Sequence, residues 1–115
     1  MVKIGVTYLN KGVWNGQQII SDLWVEKSAA SFAGNKGIKV PGEDSGRVGY
    51  SYSWWTKQYS NSGKKMNLYY AGGFGGQHIM VFPELNAVVV FTGGNFVTSR
   101  PPFTILEKYV LPAFG

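Results

Sequence analysis

Between Gln77 and Thr92 two strand-length apolar runs flank a four-residue break, and no other stretch constrains the fold as strongly. Gln77–Phe82 and Ala87–Thr92 are rich in β-branched and aromatic residues, and Pro83-Glu84-Leu85-Asn86 between them supplies turn chemistry. The pattern predicts an antiparallel hairpin. Val88, Val89, Val90 and Phe91 run without polar alternation, so the second strand is expected to be buried on both faces. Such a strand needs apolar cover above and below its sheet. A chain of 115 residues can supply that cover within one domain spanning residues 1–115.

The remaining elements are read from periodicity and punctuation. In Met1–Leu9, Val2, Ile4, Val6 and Tyr8 alternate like a strand, while Val2, Val6 and Leu9 also share a helical face. Asn15-Gly16 marks a turn between Val13-Trp14 and Gln17–Ile20. Ser21 is placed to cap a helix running to Ser28, with Asp22 in its first turn where the dipole favours an acid. Residues 31–49 read as a long irregular loop around Gly34, Gly37, Pro41, Gly42, Glu43, Asp44, Gly46 and Arg47. Tyr50–Trp55 reads as a strand with Tyr50, Tyr52 and Trp54 on one face. Thr56–Met66 reads as a polar hairpin with Asn61-Ser62-Gly63 at its tip, and Asn67–Ala71 as a short strand. Ser99 is placed to cap a last helix, with Pro101 and Pro102 in its first turn and Pro112 as its stop. Its apolar stripe is Phe103, Ile105, Leu106, Tyr109 and Val110. The fold class is therefore α+β: antiparallel strands with helices before and after.

Composition removes several chemistries. There is no cysteine, hence no disulfide framework and no thiolate nucleophile, and His78 is the one histidine, which leaves no multi-histidine metal site. The reading implies no metal and no cofactor. The net charge of +5 is spread singly, apart from Lys64-Lys65 beside Lys57, and makes no stripe of the kind that binds nucleic acid. No apolar run approaches the roughly 18 residues of a membrane-spanning helix. The text begins inside what reads as a structural element, and a fragment of a longer protein is expected.

Ala71-Gly72-Gly73-Phe74-Gly75-Gly76-Gln77 is the most distinctive segment. Glycines let a ligand or another backbone approach closely, and exposed N–H groups here could stabilise an oxyanion or hold a phosphate. A bulge or kink at a strand start would use the same residues. No Gly-Lys-Ser/Thr follows, so the phosphate-loop pattern is incomplete. His78, alternating with Met80 and Phe82, reads as a packed strand residue, with no nucleophile near it in sequence for a general base to serve. Ser62-Gly63-Lys64-Lys65 and Tyr59-Ser60-Asn61 formally contain Ser-x-x-Lys and Tyr-x-Asn. That chemistry needs the Ser at a helix start, whereas Gly63 and its neighbours predict a turn, so both matches read as coincidence. Trp54, Trp55, Tyr59, Tyr69 and Tyr70 could form a sugar-stacking platform or pack in a core.

The order of motifs resembles the C-terminal end of the serine β-lactamase-like hydrolases, the family of class C β-lactamases, penicillin-binding proteins and related esterases. The resemblance is carried by Tyr70-Ala71-Gly72-Gly73-Phe74-Gly75-Gly76-Gln77, the apolar strand after it, Phe82-Pro83-Glu84-Leu85-Asn86 and Ala87–Asn95. Tyr8–Gly16, Ile19-Ile20-Ser21, Trp24-Val25, Gly49–Trp55 and Pro101–Pro112 agree with it, so it spans nearly the whole chain. It implies a helix over most of residues 1–10 and the C-terminal part of a β-lactamase/penicillin-binding-protein-like fold. It implies a hydrolase acting on an ester, amide, peptide or β-lactam through an acyl-enzyme, with the nucleophilic Ser and the Tyr-x-Asn motif in a preceding portion. No catalytic residue is then expected in this chain. The family's Lys-Thr-Gly or His-x-Gly motif falls on Ala71, Gly72 and Gly73, and the oxyanion N–H on Phe74, beside Gly75. Ala71 replaces the cation that helps bind a β-lactam carboxylate, which favours an esterase, amidase or peptidase. The implied partners are a small-molecule or peptide substrate and the missing catalytic portion, with self-association through uncovered apolar surface. A parent of this family is expected to be exported or periplasmic. A self-sufficient glycan- or peptide-binding module, or a non-catalytic protein derived from the hydrolase fold, is the alternative.

Overall fold

The structure of the chain, a computed structural model, describes residues 1–31, 37–39, 47–61, 63–97 and 100–114. Helix α1 (Val2–Leu9) is followed by a two-stranded ribbon, β1 (Val13–Trp14) and β2 (Gln17–Gln18), and by helix α2 (Asp22–Ala29). The main sheet comprises β3 (Ile38–Lys39), β4 (Arg47–Tyr50), β5 (Trp55–Asn61), β6 (Lys64–Gly73), β7 (Gln77–Phe82) and β8 (Ala87–Thr92). Its six strands lie in sequence order and every pairing is antiparallel, as a chain of short connections dictates. Helix α3 (Arg100–Ile105) closes the chain, passing into a π turn over Leu106–Val110 and a 3-10 turn over Leu111–Phe114.

Period-two alternation sends each strand's side chains into two separate cores. Met66, Leu68 and Tyr70 of β6 and Met80 and Phe82 of β7 pack with Phe103, Leu106 and Leu111 from the C-terminal helical segment. Tyr69, Ile79 and Val81 face the other way and pack with Trp54 against Tyr8, Leu9 and Ala29 of the N-terminal helices. The sheet thus lies between helices, in agreement with the α+β expectation. Helix α1 is the outcome of the strand-or-helix ambiguity at Met1–Leu9. Ser21 caps α2 as expected, its Oγ accepting from the Trp24 N–H at 3.2 Å.

Six expectations are corrected. Tyr50–Trp55 is a reversal between β4 and β5 rather than one strand. The Ser51 N–H donates to the Trp54 carbonyl at 2.9 Å and Ser53 takes φ 64°, so Tyr52 is exposed while Ser51 and Trp54 are buried. Residues 31–49 contain β3 and the start of β4. The short strand at Asn67–Ala71 is a ten-residue one, Lys64–Gly73. Strand β8 is half-buried: Val88 and Val90 are covered on one face, Val89 and Phe91 on the other, and among the described residues no strand pairs with its outer edge. Pro112 does not stop the last helix but sits within its 3-10 turn. There Phe103 and Leu106 are buried, whereas Ile105, at the end of α3, and Tyr109, in the π turn, are exposed. The expected cap Ser99, the loop-tip Ser62, and Gly34, Pro41, Gly42, Glu43, Asp44 and Gly46 lie outside the described residues.

Candidate functional site

Strand β6 outruns its neighbour on one side. Its pairing with β5 ends at Tyr70, opposite Trp55, whereas its pairing with β7 continues through Ala71, Gly72 and Gly73, opposite Ile79, His78 and Gln77. Among the described residues no strand pairs with the other edge of this last segment. Backbone N–H and C=O groups of successive residues point to alternate edges of a strand. At least one N–H and C=O pair between Ala71 and Gly73 is therefore directed at the open edge. Gly72 and Gly73 are exposed and carry no side chain that could screen it.

The hairpin that follows is built around two left-handed residues, Gly75 at φ 96° and Gly76 at φ 89°. Gly75 is buried beneath Phe96, and its carbonyl accepts from the Asn95 N–H at 2.9 Å, tying the segment after β8 to this loop. Phe74 projects from the loop at 80% exposure. Its ring stands 5.2 Å from that of Phe96, itself 62% exposed. Ala71, Gly72, Gly73, Phe74 and Gly75 thus form one continuous strand end and loop, bordered by two aromatic rings that solvent reaches.

The other sequence candidates separate from it. His78 stands opposite Gly72 but is buried between the rings of Tyr70 and Phe103, with centroids 5.8 and 5.2 Å away, as the packed reading expects. Trp54, Tyr69 and Tyr70 are buried, so the five aromatics do not present an exposed stacking platform. Tyr59 of the formal Tyr-x-Asn match donates to Glu107 Oε1 at 3.0 Å. Lys65 of the formal Ser-x-x-Lys match lies on β6, not on a helix.

Two features carried no sequence signal. Glu107 gathers Tyr59, Arg100 at 3.4 Å and Lys57 at 3.9 Å under α3. Burial, then Arg100, lowers the Lys57 amine below its usual range, with Glu107 opposing. Burial, then Glu107, pushes the Tyr59 phenol up. On the opposite face a cleft of about 550 Å³ opens among Ala29, Ser31, Gly49, Thr56, Gln58 and Asn67, where the Ser31 and Thr56 hydroxyls are hydrogen-bonded to each other. None of the five candidate residues lines this cleft; polar residues alternating along β5 and β6 read simply as a solvated face. No group of three or more His, Cys, Asp or Glu able to hold a metal occurs among the described residues. No helix among them is long and apolar enough to cross a membrane. In comparisons with known proteins, no family model matches the chain, and no curated protein matches it.

Proposed function

We propose that this chain supplies one wall of the active-site cleft of a β-lactamase-like serine hydrolase, acting on an ester, amide or peptide carbonyl. The observation that carries this reading is the half-paired end of β6, with backbone groups directed at an open edge and no side chain on Gly72 or Gly73 to obstruct an extended substrate. The chemistry assigned to the wall is electrostatic. An N–H at Phe74, fixed by the loop before any charge develops, would stabilise the oxyanion formed when a nucleophile attacks the carbonyl. Substrate would lie along the strand edge and keep its carbonyl in register with that donor. The nucleophile and its base belong to a portion carrying Ser-x-x-Lys and Tyr-x-Asn. Ala71, where the family carries a cation, leaves no charge to hold a substrate carboxylate, which disfavours β-lactams. The same open edge also suits a self-sufficient peptide-binding module, the second reading.

A fluorophosphonate probe separates the two. The 115-residue chain is expected to remain unlabelled, and the reading frame upstream of Met1 to encode Ser-x-x-Lys followed by Tyr-x-Asn. In the longer product that Ser is labelled. Phe74→Pro, which removes the N–H, should slow acylation by about 10²–10³-fold, whereas Phe74→Ala, which keeps it, should not. An upstream frame without those motifs leaves peptide binding as the function. Stoichiometric labelling of the 115-residue chain itself would overturn the assignment of the nucleophile to another portion.

A further inference from the structure

We infer that the exposed ring pair of Phe74 and Phe96 is a subsite for an uncharged aryl group, and that the substrate carries such a group a few bonds from the carbonyl held at the end of β6. With that strand end read as a carbonyl-binding wall, on which this subsite depends, the rings lie beside its donor, because Phe74 bears both a ring and the proposed N–H. Phe74 is 80% exposed and Phe96 62%, with centroids 5.2 Å apart and planes tilted by 44°. That arrangement leaves faces and edges on which a third ring can pack offset or edge-on. The pair is held in place. The Phe96 ring lies on Gly75, where a Cβ would come within 2.7 Å of it. Asn95, the residue before, donates its N–H to the Gly75 carbonyl at 2.9 Å, and its Oδ1 accepts from the Val97 N–H at 3.0 Å. The backbone on both sides of Phe96 is thereby fixed before a ligand arrives, which lowers the ordering cost of binding.

Charge selects the chemical class. Glu84 carries the one formal charge between Ala71 and Val97, and it lies beyond the far end of β7, where its Oε1 accepts from Asn67 Nδ2 at 2.8 Å. His78 is buried. The strand end, the glycine loop and the Asn95–Val97 segment therefore contain no side chain able to pair with a carboxylate or a phosphate. The net charge of +5 disfavours a cationic substrate as well. What the two rings offer is apolar area. A phenyl group seated against them leaves water together with the ring surface it covers, and a short alkyl group covers less of either ring. In the intact enzyme these rings stay open, since they border the donor that the substrate must reach.

Two uncleaved amides test the class on the 115-residue chain. N-methyl-3-phenylpropanamide and N-methylbutanamide share the carbonyl and differ by phenyl against methyl. In a nitrogen-15-labelled sample the aryl amide is expected to shift the amide signals of Gly72, Gly73, Phe74 and Phe96. It should bind roughly tenfold or more tightly than its methyl counterpart. Phe74→Ala, at a mostly exposed side chain, should remove most of that preference. Phe96→Leu, which keeps an apolar cover over Gly75, should do the same, and signal dispersion checks the fold of each variant. Equal affinity for the two amides overturns the inference. So do shifts confined to another exposed ring pair, such as Trp24 and Tyr52, or a preference that survives both substitutions. The hydrolase reading fails separately. A longer product that the fluorophosphonate does not label, with the aryl amide still bound at these residues, removes the hydrolase and keeps the ring pair as the aryl subsite of a peptide-binding edge.

Discussion

Gly5 is the point of closest approach between α1 and the sheet. A Cβ built there would stand 2.5 Å from Val88 Cγ1 and 2.9 Å from Ile79 Cγ2. Ala is the better helix former by about 1 kcal/mol, but overpacking costs typically about 1–3 kcal/mol. Gly5→Ala is therefore expected to lower the thermal midpoint, against the propensity ranking, and Gly5→Val to lower it further. The glycines of the candidate site divide in the same physical way. A Cβ on Gly73 meets nothing closer than 3.6 Å, so Gly73→Ala should fold as well as the parent or better while narrowing the open edge. Gly75 is left-handed and its Cβ would meet Phe96 at 2.7 Å, so Gly75→Ala should destabilise by about 1–2 kcal/mol. Urea midpoints of the two variants check this directly. The sequence shows six positions from Ala71 to Gly76 that are glycine at all but two. It cannot show which glycines serve the backbone and which leave room, because that depends on φ and on neighbours distant in the chain.

At the scale of elements, local signals worked where local chemistry decides. Ser21 caps α2 through its own Oγ, and Ser21→Ala should cost about 1 kcal/mol, read as loss of helix and a lower thermal midpoint. The β7–β8 hairpin was legible because apolar content and turn residues coincide. The β4–β5 reversal was not. Tyr50, Tyr52 and Trp54 imitate strand alternation, and the turn needs Ser53 at positive φ, a conformation its residue type does not announce. The Ser51 hydroxyl donating to the Ser28 carbonyl then fastens this reversal to α2. The end of α3 is set for a related reason: Glu107 reaches Tyr59 and Lys57 on β5, 48 and 50 residues away, as well as Arg100 on its own segment. Glu107→Gln keeps the side-chain shape and removes the charge. It is expected to cost about 1 kcal/mol, the carboxylate being partly solvated, and to raise hydrogen exchange in Leu106–Val110 before the rest of the fold.

For the whole molecule the phenols of Tyr59, partly buried, and Tyr69, buried, shape the alkaline side of stability. Tyr59 is pushed up by burial, then by the charge of Glu107 and its hydrogen bond; Tyr69 is pushed up by burial, then by Tyr8. The folded chain therefore holds both protons more tightly than the unfolded chain, whose phenols ionise near 10.0. The resulting stability is fully present below pH 10 and is lost as pH rises through the folded values. Lys57 acts in the opposite sense, since burial lowers its amine below 10.5 and the unfolded chain takes up that proton more readily as pH falls. The phenol shifts are the larger, so the urea midpoint should fall above pH 10, and less steeply in Tyr69→Phe.

The sequence by itself determined the α+β class, the β7–β8 hairpin, the cap of α2 and the continuity of the glycine segment with a strand. Each follows from residues within a few positions of one another. Tertiary structure alone decided that β6 extends beyond β5, that β8 lies at an edge among the described strands, that α1 seats on the sheet at Gly5, and that Glu107 closes α3 onto the sheet. Strand order and edge exposure are set by pairing between distant segments and by which side chains fill two separate cores. Periodicity along a single strand carries no record of either.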